Sequence, residues 1–201
     1  MNVNVIGVAL VVAGVSLAHG SAIPSFPAID AEPLGAVSEN ALVLHDGWEL
    51  KDAPPDVGGD GISKVGYDGK DWFKTTVPTT VLGALVRHGV YPDPYIGTNN
   101  MRIPDACPEH NTRYNLSQYS HLPGKANPWS KPWWFRKEFT VPAPYRGRRV
   151  WLHLDGINYR ADVWLNGRQV AKADSVAGMF RRFRFEVSSL LDFQGTNALA
   201  V

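Results

Sequence analysis

An Asn-Gly pair at positions 166–167, set between two short runs of alternating residues, constrains this chain more than any other feature. In Asp162-Val-Trp-Leu165, Val163 and Leu165 alternate with Asp162 and Trp164, the two-residue period of a half-buried strand. Asn-Gly supplies the two consecutive positive-φ residues that a type I′ turn requires, and Arg168–Ala171 returns in the same rhythm. The pattern predicts a tight β-hairpin, and with it an all-β reading of the surrounding chain.

The rest of the sequence agrees. Strands are expected over residues 41–50, 72–77, 134–141, 149–154, 161–165, 168–173, 181–187 and 198–201, with turn residues between them. Short strands at close spacing indicate a β-sandwich. Nineteen Gly and fifteen Pro argue against a helical bundle, and 201 residues suffice for one ordinary domain. One short helix is expected after Val77, capped by Thr79 or Thr80, with an apolar stripe of Val81, Leu82, Leu85 and Val86 and a stop at Gly89. Residues 54–69 read as loop. Residues 91–131 form a long, non-periodic connection whose Tyr95, Tyr114, Tyr119 and Trp129 indicate an ordered excursion.

The N-terminus reads as a targeting segment. Val5 to Ala18 is an apolar run of signal-peptide length, followed by small residues at 18–22, although Met1-Asn-Val-Asn4 carries no Lys or Arg. The alternatives are a membrane anchor or a buried strand. The expected organisation is a signal peptide at 1–20, a Pro/Ala/Ser-rich linker at 21–40 and the sandwich at 41–201, in a secreted, extracellular protein. Asn115-Leu-Ser117 is then a candidate N-glycosylation sequon. A net charge of +1 offers no polybasic face for nucleic acid or an acidic membrane. Cys107 is the only cysteine, and Cys107-Pro-Glu-His110 lacks a second pair of metal ligands. Neither metal nor cofactor is expected. Asn197-Ala-Leu-Ala-Val201 is apolar to its last residue, which reads as a strand that should continue.

Six motifs occur in order: Asp68-Gly-Lys-Asp-Trp72, Val77-Pro-Thr-Thr-Val-Leu82, Tyr91-Pro-Asp-Pro-Tyr95, Pro132-Trp-Trp-Phe-Arg-Lys-Glu-Phe139, Asp155–Gly167 and Gly178-Met-Phe-Arg-Arg182. Together they resemble the N-terminal domain of glycoside hydrolase family 2, in the branch of exo-β-glucosaminidases, β-mannosidases and endo-β-mannosidases. The resemblance implies a jelly-roll sandwich similar to galactose-binding domains, with immunoglobulin-like domains and a TIM barrel following in the full-length enzyme. It also places both catalytic carboxylates in that barrel, so none is expected here. Substrates would be β-linked glucosaminides or mannosides, met through the full-length enzyme.

Within the chain, Asp155, Asp162, Glu138 and Glu186 are candidate local carboxylates, and their places at turns or on alternating strands suit solvated or hydrogen-bonded roles. Trp133 and Trp134, beside a loop bearing Asn99 and Asn100, pair aromatic faces with amide groups, as saccharide sites do. The plainer reading puts one Trp in the core and the other over a domain seam. Arg181 and Arg182 read either as a fork for carboxylates on another domain or as a solvated strand end paired with Glu186 or Asp162. A stand-alone carbohydrate-binding module and a non-catalytic interaction domain are the alternatives to a hydrolase segment.

Overall fold

A computed structural model describes residues 4–8, 41–54, 56–103, 128–129 and 131–201, with the backbone alone at 4–8 and 101. The chain order is β1 (Asn4–Val8), β2 (Ala41–Val43), β3 (Trp48–Asp52), α1 (Gly59–Ile62), β4 (Phe73–Thr75), α2 (Val81–Arg87), β5 (Trp133–Thr140), β6 (Val150–Leu154), β7 (Val163–Leu165), β8 (Arg168–Ala171), β9 (Phe183–Glu186) and β10 (Thr196–Ala200). Two sheets result. The larger runs β4-β3-β5-β10-β7-β8 and the smaller β2-β1-β6-β9.

Alternation drives the packing between them. On β6, Val150, Leu152 and Leu154 are buried while Trp151 and His153 are half-buried. Trp48 and Leu50 of β3, Phe135 of β5, Val163 and Leu165 of β7 and Leu199 of β10 complete the same core. This is a β-sandwich, with antiparallel pairing throughout the larger sheet.

The larger sheet is buried on its outer face as well. There α1 and the flanking loop lay Ile62 and Trp72 over Ala200, with Val57, Tyr67, Trp134 and Trp164 packed around them. The segment expected to be plain loop thus contains a helical turn. The reason is tertiary: a Cβ at Gly59 would lie 2.3 Å from Trp164 Nε1, so only glycine lets this backbone rest on the indole.

Other expectations resolve in detail. The strand anticipated over 41–50 is two strands in different sheets, with Gly47 at φ +70° between them. The α2 cap is Thr80, whose Oγ1 accepts from Gly83 N at 2.8 Å, and Gly89 takes φ +70°. Asn166 and Gly167 have φ +52° and +78°, the geometry of the expected I′ turn. The N-terminal apolar run contributes β1, which lies parallel to both β2 and β6. Residues 9–40, over which the rest of a targeting segment and a linker are expected, lie outside the described residues, as do Cys107, His110, Tyr114, Asn115 and Tyr119.

Candidate functional site

Trp133 and Trp134 are neighbours on β5, so their side chains leave opposite faces of the sheet. Trp133 packs against the main core, and its Nε1 donates to Pro128 O at 3.1 Å. Nearby, the Tyr91 and Trp129 rings meet at a tilt with centroids 5.9 Å apart, and both pack on the main core at the two ends of the long connection. Trp134 belongs to the outer cluster with Ile62 and Trp72. Both indoles are half-buried and used in packing, and they do not form one platform. Asn99 and Asn100 begin a 3-10 turn at Asn99–Arg102, where Asn99 Nδ2 donates to Asp93 O at 3.1 Å. No hydrogen bond joins either asparagine to the tryptophans among the described contacts.

The candidate carboxylates Glu138, Glu186 and Asp162 are held by their own surroundings. Arg136, 3% exposed beneath the outer cover, donates to Ile62 O and Lys64 O at 2.9 Å each and pairs with Glu49 at 3.2 Å and with Glu138. Its guanidinium also lies 5.6 Å from the Tyr67 ring centroid. Glu138 further accepts from Gly66 N at 2.7 Å. Burial pulls its pKa upward, but the Arg136 and Gly66 hydrogen bonds and the Arg136 charge outweigh that and hold it below the ordinary range. Glu186 is likewise held low, chiefly by hydrogen bonding from Ser188. Asp162 accepts from Gln169 Nε2 and Ala173 N. Glu138 and Glu186 are thus shifted toward the anionic form, whereas a glycosidic general acid needs the opposite shift.

At one end of the sandwich a different surface gathers. Arg160 bridges to Ala177, and Gly178 N donates to Tyr159 O at 2.9 Å, so residues 158–160 and 177–182 form a joint tip. Phe180 is 98% exposed with φ +58°, flanked by exposed Met179 and Tyr159. A non-glycine residue in the left-handed region costs free energy, and here nothing buries its ring in return. Arg181 donates to Ala177 O at 2.8 Å and lies over the Phe183 ring. Arg182 stands 3.8 Å from Asp155 and is 82% exposed, so its partner is neither Glu186 nor Asp162. The sequence pattern marked the arginines. The outward turn of Tyr159 and Phe180 had no periodic signal to reveal it.

Two of the depressions on the described surface are shallow. One, of about 410 Å³, is lined by Lys51, Asp52, Asp68, Lys70 and Trp72. The other, of about 580 Å³, lies between Lys64 and Asp192. Among the described residues no group of three His, Cys, Asp or Glu side chains is arranged to hold a metal, and no helix is long and apolar enough to cross a membrane.

Comparison with known proteins adds the following. Residues 119–201 match the family described as the glycosyl hydrolase 2 galactose-binding domain-like domain. An exo-β-D-glucosaminidase of Streptomyces avermitilis is 33% identical over 139 residues, covering 69% of this chain and 13% of the relative. A mannosylglycoprotein endo-β-mannosidase of Lilium longiflorum is 33% identical over 130 residues, 65% of this chain and 11% of that protein. The exo-chitosanase CsxA of Amycolatopsis orientalis superposes with a TM-score of 0.60 at 26% identity, over 77% of this chain and 15% of its own. The chain spans well under a fifth of the length of each of these relatives.

Proposed function

This chain carries the galactose-binding-like domain of glycosyl hydrolase family 2, and from that premise we propose that it is the N-terminal sandwich of a secreted family-2 glycoside hydrolase. The full-length enzyme would cleave β-glucosaminides or β-mannosides, as the named relatives suggest. In this reading the sandwich borders the active site and supplies no acid, base or nucleophile to it. The observation that carries the proposal is the state of the carboxylates. Glu49 and Glu138 are bound to Arg136, and the carboxyls of Glu138 and Glu186 are held below the ordinary range, opposite to what a general acid needs.

Secretion is supported by the apolar run at 5–18, the small residues at 18–22 and the Asn115 sequon. The exposed Tyr159–Phe180 tip, apolar with Arg181 and Arg182 beside it, suits contact with another domain of the enzyme better than contact with sugar.

Purified chain incubated with nitrophenyl β-glucosaminide and nitrophenyl β-mannoside should release no nitrophenol above the rate in buffer. Turnover abolished by Glu138→Gln would overturn the proposal. Titration with chitosan oligomers reads the binding-module alternative, which predicts saturable quenching of tryptophan fluorescence.

A further inference from the structure

The smaller sheet holds a strand that the sequence assigns to another fate. Asn4–Val8 lies between β2 and β6 and pairs parallel to both, with Ile6 opposite Leu42 on one side and Leu152 on the other. Alongside this row run Val150, Leu152 and Leu154 of β6, all buried in the main core. Strands in a sheet lie about 4.8 Å apart, so without residues 4–8 a gap of about 10 Å would separate β2 from β6. The edge of β6 toward that gap would lose its ladder partners, and β2 would lose the only strand it pairs with among the described residues. Yet these residues fall within the stretch that reads as a cleavable leader. One segment cannot be both removed and retained as an interior strand.

We infer that the channel between β2 and β6 is a strand-acceptor site, filled by residues 4–8 while the N-terminal stretch is attached and open once it is removed. Its occupant in the processed protein is an extended segment, with apolar residues at alternate positions, from a longer family-2 polypeptide. The relatives, about five to six times as long as this chain, leave ample chain to supply one. Recognition works by backbone pairing to β6 and β2, with apolar side chains entering the rows of Leu152 and Leu154. The opening of the channel rests on the leader reading under the proposed function; the capacity to accept a strand does not.

The test begins from the intact chain carrying a protease site introduced between residues 21 and 40. After cleavage, a fluorescent peptide of residues 2–10 should exchange into the channel at one per chain. The uncleaved chain should take up none, and a peptide bearing Ile6→Lys should bind at least about tenfold more weakly. Hydrogen exchange at Val150–Leu154 should quicken about tenfold or more when the channel is emptied, while β5 and β10 stay protected. Equal binding of the two peptides, or unchanged protection of β6 in the emptied protein, overturns the acceptor site. Loss of protection across both sheets also overturns it, because residues 4–8 would then be an inseparable part of the core. In a separate arm, the N-terminus of the chain exported by a secretory host is sequenced. A start near residue 21 supports opening by processing; a start at Met1 overturns that step alone.

Discussion

The hairpin turn at Asn166–Gly167 and the tip formed by Tyr159 and Phe180 both place non-glycine residues at positive φ, yet they are opposite kinds of structure. At the turn every strained group is repaid by partners. Asn166 Nδ2 donates to Leu190 O and to Asn197 Oδ1 at 2.8 and 2.7 Å, and its Oδ1 accepts from Ala198 N. Gly167 N donates to Ser63 Oγ and to Ser63 O, which joins the turn to α1. At the tip Phe180 projects into solvent, and the ring contacts of that segment belong to Arg181 and Phe183 instead. Backbone strain with a full set of hydrogen bonds is part of folding. The same strain beside exposed apolar rings is surplus to folding, so the tip, unlike the turn, is not explained by contacts within the sandwich.

The sharpest way to break this contrast is at the cover that anchors the turn side. Arg136→Met should leave Glu49 and Glu138 without their buried cation and Ile62 O without its donor, at a cost of about 3–5 kcal/mol. Urea unfolding followed by tryptophan fluorescence reads this directly. A loss below about 1 kcal/mol would mean that the cover is not pinned by Arg136.

Next in size is the asparagine network. Asn197 is fully buried, accepts from Asn166 and Asp192 N and donates to Asp192 O. Asn197→Leu should cost about 2 kcal/mol by orphaning these groups. Combined with Asn166→Gly it should cost less than the sum of the two single changes, since both act on one network. Gly59→Ala tests the close approach to Trp164 and should cost about 1–3 kcal/mol through overpacking. Full additivity in the double variant would sever the turn from the loop at Leu190–Asp192.

Acid should weaken the cover through Glu138. Glu138 has its folded pKa depressed, so its contribution is complete above the unfolded value and is lost as pH falls through the folded one. That window lies below the usual carboxylate pKa of about 4.3. Glu138→Gln should therefore flatten the fall in stability in the acid limb, seen as a smaller change in urea midpoint below that pH. An unaltered acid limb would assign the loss to other carboxylates.

How far these features were legible depends on the range of the forces that make them. The I′ turn, the Thr80 cap and the Gly89 stop are written in neighbouring residues, and each appears where local chemistry requires it. The six motifs likewise gave the family and the sandwich. Three features depend on distant partners: α1 needs Trp164 above Gly59, the burial of Arg136 needs the cover that it also pins, and β1 needs the channel between β2 and β6. A period-two reading of Trp134-Phe-Arg-Lys-Glu138 marks Arg136 as outward-facing. It does point outward from the sandwich, but into a second packed layer. The candidate contact residues split in the same way. Arg182 kept its exposure and changed its partner, while Trp133 and Trp134 went to separate clusters.

The smallest expected effect on stability is also the one that defines the tip. Phe180→Ser removes a ring that touches almost nothing, so it should change the unfolding free energy by no more than about 0.5 kcal/mol. Phe180→Gly should even stabilise slightly, because glycine takes φ +58° without the steric cost. If the ring is kept for contact with another domain, both changes should lower concentration-dependent self-association of the isolated chain, measured by light scattering, while thermal midpoints stay level. A clear loss of stability in Phe180→Ser would show the ring packing within this sandwich, and the tip would then resemble the turn after all. Stability unchanged with association reduced keeps the two regions distinct, one built to hold the sandwich and the other left over for what lies beside it.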